Sequence, residues 1–280
     1  MVRVQSALFL LIDSDSIRED GSAIATVRRN TDTRFALTFS ALSTEPGELE
    51  FSQQLTIPAG AEEVTFTIRG VEDGLVDGNR SVTIEISAQA FQSDLAVLQV
   101  IDVDVPALVL TSQPGSFSEA NGKSTLTISR NTSSEFELSV SMAVNIDGWI
   151  SVPSVVEIPA GASQATFEVN AVDNLFADGD QLVEILATSP SFTSSTATLT
   201  IVDDEIAALM LVGSNNQVNE GGGEVDFTVS RNTRPDHALE VFMSTSDSRL
   251  VAPEKLTIPA GETSTTFSVA SDDDAIVQGD

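Results

Sequence analysis

The amino-acid sequence predicts an all-β protein made of tandem antiparallel β-sandwiches. Short segments rich in β-branched residues are separated by turn residues about every 8–12 positions, and no stretch keeps a 3.6-residue hydrophobic period. Two signatures, Arg-Asn-Thr and Ile-Pro-Ala-Gly, each occur three times, about 100 residues apart. They start at Arg29, Arg130 and Arg231, and at Ile57, Ile158 and Ile258. We therefore predict repeat 1 at residues 1–106, repeat 2 at 107–206 and repeat 3 at 207–280.

Each complete repeat is predicted to contain seven strands. Residues 23–28, for example, alternate apolar and polar side chains, as a strand with one buried face does. A Pro-Ala-Gly turn joins the fourth and fifth strands. The predicted strands of repeat 1 are residues 8–11, 23–28, 35–41, 55–57, 64–68, 82–86 and 96–101. Those of repeat 2 are residues 108–110, 124–129, 137–143, 155–158, 163–171, 181–188 and 195–202.

Repeat 3 is predicted to be incomplete. Its last residue, Asp280, aligns with Asp180, after which repeat 2 continues for two more strands. A sandwich without those strands leaves a sheet edge and a core face uncovered. The chain can be a piece of a longer repeat array, or strands of a neighbouring chain can complete the sandwich. The sequence leaves both explanations open.

The composition narrows the classes of partner. The chain carries 42 acidic and 13 basic residues and a formal charge of −29, so it should repel nucleic acid and anionic lipid. Its natural counter-species are divalent cations. No apolar run reaches the roughly 18 residues that a membrane helix needs, so direct membrane insertion is not expected. The chain has no cysteine, so neither a disulfide nor a thiolate metal site is available.

Acidic residues occur in segments that a sandwich would bring together. When strands alternate in direction, the first, third and fifth connections and the end of the seventh strand lie at the same end. Carboxylates occur in the first connection, at Glu19, Glu119 and Glu220, and in the third, at Glu48, Asp147 and Asp247. The fifth connection carries Glu72, Asp73 and Asp77, then Asp173, Asn174 and Asp178, then Asp273 and Asp274. The seventh strand is followed by Asp102 and Asp104, then by Asp203, Asp204 and Glu205.

Carboxylates at this density repel one another unless a cation lies among them. Calcium takes about six to eight oxygen ligands, whereas magnesium demands tighter octahedral geometry and zinc prefers sulfur and imidazole. The alternative is that Asp and Gly occupy these loops because they form turns and keep the surface soluble. The repeated convergence of separate segments favours Ca²⁺.

The order of these features resembles the Calx-beta domain. That order is Glu after the first strand, a Pro-Ala-Gly turn, an Asp-Asp-x-x-x-Asp-Gly loop and a terminal Asp-Asp-Glu. The resemblance covers nearly the whole chain, is strongest to the tandem repeats of bacterial surface proteins, and implies an immunoglobulin-like sandwich with Ca²⁺ at one end. Carried over by position, the implied metal ligands are Glu19, Glu72, Asp73, Asp77, Asp102, Asp104, Glu119, Asp173, Asn174, Asp178, Asp203, Asp204, Glu205, Glu220, Asp273 and Asp274.

The repeats depart from this pattern to different degrees. Val103 interrupts the terminal acidic run of repeat 1, and Asn174 replaces an acid in repeat 2. Gln278 stands where Asp77 and Asp178 stand in the other repeats. We therefore expect repeat 2 to bind calcium best and repeat 3 poorly or not at all.

The expected function is a calcium-binding structural segment of a secreted or cell-surface protein, such as an adhesin stalk or filament. The last strand of each repeat runs almost directly into the next repeat, so bound Ca²⁺ should stiffen the junction. The alternatives are a metal-independent spacer and a filament subunit completed by strands of a neighbouring chain. An enzyme is not expected, because the paired carboxylates lie on turns and His237 has no nucleophile in a recognisable motif. The ligand of an adhesin cannot be identified from these residues.

Overall fold

The computed structural model describes residues 5–219 and 223–272. These residues form 24 β-strands, arranged mostly as antiparallel sheets, so the all-β expectation is confirmed. Within the described ranges, no helix has the length and apolarity needed to cross a membrane.

Repeat 1 is a two-sheet sandwich. A four-stranded sheet has the order β1-β3-β7-β5, and a five-stranded sheet has the order β2-β9-β8-β4-β6. Neighbouring strands are antiparallel except for β2 and β9, which run parallel. The strands are β1 (Leu8–Ile12), β2 (Ser16–Arg18), β3 (Ser22–Arg29), β4 (Leu37–Ser43), β5 (Leu49–Glu50), β6 (Gln54–Ile57), β7 (Glu63–Gly70), β8 (Arg80–Ser87) and β9 (Asp94–Ile101).

Repeat 2 has the same architecture. Its sheets have the orders β10-β12-β16-β14 and β11-β18-β17-β13-β15, again with one parallel pair, β11 with β18. The strands are β10 (Leu108–Gln113), β11 (Ser116–Ser118), β12 (Lys123–Arg130), β13 (Leu138–Val144), β14 (Ile150–Ser151), β15 (Val155–Ile158), β16 (Gln164–Ala171), β17 (Gln181–Thr188) and β18 (Ser195–Val202).

The seven predicted strands of each complete repeat are present, and two short strands are added. The first strand continues beyond a break and changes sheets, so β1 pairs with β3 whereas β2 pairs with β9. Another short strand, β5, precedes β6 and pairs with β7. The added strands have only two or three residues, too few for a periodic pattern to reveal them.

Each complete repeat has its own hydrophobic core between its two sheets. The core of repeat 1 includes the fully buried Phe39 and Ile84, and that of repeat 2 includes Leu126 and Ile185. Along the strands buried and exposed positions alternate, as in β17, because successive side chains point to opposite faces. That each repeat folds independently stays a prediction.

In its described part, repeat 3 is a partial sandwich. One sheet has the order β19-β20-β24-β22, but β21 and β23 are the only described strands opposite it. The buried cluster of this part consists of Val229, Val241 and Ile258, and the side chains of β19 are 51–61 % exposed at residues 209–212. The strands are β19 (Leu209–Gly213), β20 (Glu224–Arg231), β21 (Leu239–Phe242), β22 (Leu250–Val251), β23 (Lys255–Ile258) and β24 (Ser264–Ser271).

The two sequence signatures bind each other at one end of each repeat, which we call the turn end. The buried Arg29 donates to the carbonyl oxygens of Phe35 (2.7 Å) and Ala61 (2.8 Å). Arg130 and Arg231 donate in the same way to the residue after the glycine of their own turns, both at 3.0 Å. The arginines thus satisfy carbonyl groups that a tight turn leaves unpaired.

The asparagine of Arg-Asn-Thr fixes the segment that enters its repeat. In repeat 2, Asn131 accepts from the Ala107 amide (2.8 Å) and donates to the carbonyl oxygen of Val105 (3.0 Å). It also donates to the carbonyl oxygen of Gly74 in repeat 1, at 3.0 Å, and its own carbonyl oxygen accepts from the Val76 amide, at 2.8 Å. The turn end of repeat 2 therefore contacts the fifth connection of repeat 1.

Candidate metal centre

Parallel pairing of a short strand brings the carboxylates together at the end of each repeat opposite the turn end, which we call the acidic end. Arg18, the last residue of β2, lies beside Ile101, the last residue of β9. The next residues along the two strands are Glu19 and Asp102, and the Glu19 amide donates to the Ile101 carbonyl oxygen at 3.2 Å. Because parallel strands end at the same edge, the residues that follow them are neighbours.

The acidic end of repeat 1 gathers three carboxylates. Oxygen atoms of Glu19, Asp102 and Asp104 lie within 4.8 Å of one another. Glu19 is buried, with 3 % of its surface exposed, and the two aspartates are partly buried. None of the ion pairs between described residues involves these three side chains.

The acidic end of repeat 2 gathers more carboxylates. Glu119, which is 1 % exposed, belongs to two groups whose oxygen atoms lie within 4.8 Å of one another. One group includes Asp178 and Asp203, and the other includes Asp204 and Glu205. Glu119 follows β11 and takes its place through the same parallel pairing as Glu19, with its amide donating to the Val202 carbonyl oxygen at 3.0 Å.

Backbone amides hold the terminal aspartate of each repeat in place. Asp102 accepts from the amides of Gly78 (2.7 Å) and Asp104 (2.9 Å). Asp203 accepts from the amides of Gly179 and Glu205 in the same arrangement. The Gly179 amide is the main reason why the pKa of Asp203 is below its ordinary value. These bonds join the fifth connection to the end of the last strand.

Several buried oxygen atoms in these clusters have no hydrogen-bond partner. In the described part of the chain, seven buried side-chain polar atoms are unpartnered. Five are carboxylate oxygens of the acidic ends, and the other two are guanidinium Nε atoms. The five are Glu19 Oε2, Asp104 Oδ2, Glu119 Oε1, Asp178 Oδ1 and Glu205 Oε2. Buried polar groups are normally paired, so a cation among these oxygens would supply the partners that they lack.

The two glutamates have perturbed acidities. Burial, followed by the charges of Asp102 and Asp104, raises the pKa of Glu19 from 4.5 to about 7. Burial also raises the pKa of Glu119 to about 7, with further contributions from Glu205 and Asp178. Each group is therefore costly to ionise without a compensating cation.

The carboxylates predicted in the fifth connection take different positions. Asp178 belongs to the repeat 2 cluster, but its counterpart Asp77 binds Arg80 at 2.6 Å instead. Asp73 accepts from the Leu75 amide and contributes to the raised pKa of Glu19. The side chains of Glu72 and Asp173 are exposed, and neither belongs to the metal-competent groups found among the described residues. Their assignment as ligands stays a prediction.

Asn174 lies beside the repeat 2 cluster but uses its polar atoms within the protein. Its amide nitrogen donates to Glu119 Oε2 at 2.7 Å, and its amide oxygen accepts from the Phe176 amide at 2.7 Å. In this arrangement Asn174 orients Glu119. Its assignment as a direct ligand stays a prediction.

The ligands predicted for repeat 3 cannot be placed. Glu220, Asp273 and Asp274 lie outside the described residues. The expectation that repeat 3 binds calcium poorly therefore stays a prediction.

Sequence reasoning missed two residues that support the acidic ends. Asn79 and Asp180 are counterparts in repeats 1 and 2, and each accepts a hydrogen bond, at 3.1 Å, from the amide of Asp102 or Asp203. The sequence did contain a signal that could have identified them. Both lie just before β8 or β17, two residues after the aligned Asp77 and Asp178. Both fix the backbone at the point where the terminal acidic run begins.

The donors of both clusters fit a hard cation. All of them are carboxylate oxygens, which suit Ca²⁺ better than Zn²⁺, and the chain contains no thiol. Bound Ca²⁺ would offset the mutual repulsion of the carboxylates and supply a partner to the unpaired oxygens. In repeat 1 the residues placed to hold it are Glu19, Asp102 and Asp104, and in repeat 2 they are Glu119, Asp178, Asp203, Asp204 and Glu205.

Comparisons with known proteins found similar structures at low identity. No family model and no curated protein matches the sequence. A crystal structure of CBD12 from CALX1.2 is 12 % identical with a TM-score of 0.31, over 69 % of this chain and 98 % of that one. The apo-form Calx CBD1 domain is 17 % identical with a TM-score of 0.29, over 35 % and 99 %. The human desmocollin-1 ectodomain is 10 % identical with a TM-score of 0.32, over 98 % and 60 %.

Proposed function

We propose that repeats 1 and 2 bind Ca²⁺ at their acidic ends and that the bound ion stiffens the junction with the following repeat. The observation that carries this proposal is the set of five buried, unpartnered carboxylate oxygens in two clusters. The fifth connection links each cluster to the next repeat. In repeat 1 it holds Asp102 through the Gly78 amide and contacts Asn131 through the Val76 amide.

Repeat 2 is connected to repeat 3 in the same way. The Ala177 amide donates to the carbonyl oxygen of Asn232 at 2.8 Å, while the nearby Gly179 amide donates to Asp203. An ion that orders the fifth connection also orders the surface on which the next repeat rests. At the first junction, repulsion between the carboxylates should loosen this surface when no ion is bound.

In this proposal the chain is a calcium-dependent structural segment of a secreted or cell-surface protein. It is of the tandem Calx-beta type and has no catalytic activity. An adhesin stalk or filament would use such a segment to keep a binding region extended. The partners are calcium ions and neighbouring repeats. The alternative is a metal-independent spacer, in which the asparagine contacts at the junctions would hold the repeats together without an ion.

Calorimetric titration of the whole chain with Ca²⁺ tests the proposal, together with small-angle scattering in calcium and in chelator. We expect saturable heat and larger overall dimensions with calcium. Glu19→Gln and Glu119→Gln in one chain should abolish both effects. The proposal would be contradicted, and the metal-independent spacer favoured, if the double variant still showed the binding heat and the change in dimensions. The absence of binding heat in the parent chain would have the same consequence.

A further inference from the structure

We infer that the acidic end of repeat 2 also binds an arginine of the following repeat, and that this contact holds the second junction together without an ion. The contact joins Arg234 of repeat 3 to Asp178 of repeat 2 through Arg234 Nε and Asp178 Oδ2, 2.6 Å apart. This inference rests on the proposed function only in assigning Asp178 to the calcium site.

The carboxylate that Arg234 binds is buried. The side chain of Asp178 is 3 % exposed, whereas that of Arg234 is 46 % exposed. A buried carboxylate without a counter-charge is strongly destabilising. The loss of Arg234 should therefore destabilise the contact between repeats 2 and 3. The other oxygen, Asp178 Oδ1, is buried and unpartnered. One carboxylate can therefore bind the arginine through Oδ2 and face the acidic cluster through Oδ1.

Two aromatic side chains of repeat 2 complete the binding surface. The guanidinium carbon of Arg234 lies 5.1 Å from the ring centroid of Trp149 and 5.9 Å from that of Phe176. Arginine is attracted to aromatic faces at such distances, and its planar group suits both stacking and carboxylate binding. The surface formed by Trp149, Phe176 and Asp178 is thus matched in shape and charge to a guanidinium group.

The first junction, between repeats 1 and 2, has different residues at the positions of Trp149, Phe176 and Arg234. At the positions aligned with Trp149 and Phe176, repeat 1 has Glu48 and Leu75. At the position aligned with Arg234, repeat 2 has Ser133, and Asp77 pairs with Arg80 of its own repeat. Three differences between the repeats therefore meet at one contact, which a chance surface ion pair would not require.

The contact also selects which repeat can follow repeat 2. Repeat 1 carries Asp32 at the position aligned with Arg234, and this aspartate pairs with Arg34. A repeat with aspartate there would place a like charge against Asp178, and such a contact is unfavourable. The partner that this surface fits is a repeat with arginine directly after its Arg-Asn-Thr signature.

Spin-label distances across both junctions of the whole chain test the inference. Thr65, Thr166 and Thr266 are exposed and occupy aligned positions on β7, β16 and β24, and the chain has no native cysteine to interfere. One doubly labelled chain carries Thr65→Cys and Thr166→Cys, and another carries Thr166→Cys and Thr266→Cys. Each is measured in chelator and in calcium, with and without Arg234→Gln. Arg34→Gln is the matched control, because it removes an arginine–aspartate pair, Arg34 with Asp32, that lies within repeat 1 and away from both acidic clusters.

In chelator, we expect a narrow distance distribution across the second junction and a broad one across the first. Arg234→Gln should at least double the width across the second junction and leave the first unchanged, whereas Arg34→Gln should change neither. An unchanged second junction in Arg234→Gln would overturn the inference. If calcium failed to narrow the first junction while Arg234→Gln still broadened the second, the proposed calcium function would fail and this inference would stand.

Discussion

The acidic ends of repeats 1 and 2 share one backbone plan but hold different numbers of carboxylates. In both, parallel pairing places a buried glutamate, Glu19 or Glu119, beside the end of the last strand. Repeat 1 then contributes two aspartates, whereas repeat 2 contributes enough acids for two overlapping groups. The strand pairing therefore sets the location of the site, and the residues around it set its charge.

Two sequence differences between the repeats accompany this difference. Repeat 2 has Asp204 where repeat 1 has Val103, so its terminal run is uninterrupted. Repeat 1 has Arg80 where repeat 2 has Gln181, and Asp77, which pairs with Arg80, is not among the clustered carboxylates of repeat 1. The comparison predicts stronger calcium binding by repeat 2, because more carboxylates converge there.

The largest expected effect is that of Glu119→Gln. Glu119 belongs to both groups of repeat 2, so its neutral replacement should weaken calcium binding by repeat 2 by about 100-fold or more. Glu19→Gln, the matched control, should weaken binding by repeat 1 and leave repeat 2 unchanged. Titration calorimetry on the whole chain distinguishes calcium binding by repeat 1 from calcium binding by repeat 2. If both variants weakened the same binding step equally, the assignment of one glutamate to each site would be wrong.

Calcium should raise thermal stability. At about a hundredfold excess over Kd, a ligand specific for the folded state adds about 2.7 kcal/mol to the free energy of unfolding. We expect a rise in Tm of several degrees for the unfolding transition that contains repeat 2. Differential scanning calorimetry with and without chelator measures it. In Glu119→Gln the calcium-induced shift of that transition should disappear.

Without calcium, stability should fall as pH rises. The pKa of Glu19 and that of Glu119 are about 7 in the folded protein, above the ordinary value of 4.5. The folded state therefore binds more protons between these values. This contribution is fully present below about pH 4.5 and is lost as pH rises through about 7. Melting in chelator from pH 5 to pH 8 should show the decline, which would be weaker in the chain carrying both glutamine substitutions.

The smallest expected effect is a gain of function in repeat 1. Val103→Asp restores the aspartate that repeat 2 has at Asp204, and it should strengthen calcium binding by repeat 1 less than about 10-fold. The gain is limited because Asp204 is held by the Ser118 hydroxyl and the Ala120 amide, and repeat 1 has Arg18 where repeat 2 has Ser118. Val103→Asn is the control for the added charge. A loss of affinity in Val103→Asp would show that charge count is not the limiting factor.

The sequence by itself determined the all-β class, the repeats and the end of the sandwich at which acids gather. Alternating residues identify strands such as β3 and β17 because one face of each is buried. The recurring Arg-Asn-Thr and Pro-Ala-Gly signatures marked the repeats, although their mutual hydrogen bonds became visible only in the folded chain.

Only the tertiary structure decided which acids converge. Strands β2 and β11 are too short to leave a periodic pattern, yet their parallel pairing positions Glu19 and Glu119. Sequence spacing also gave Asp77 and Asp178 the same role, but Arg80 pairs with one and Arg234 of the next repeat with the other. Such pairings depend on side chains distant in sequence or on a neighbouring repeat, and a linear pattern carries no information about those distances.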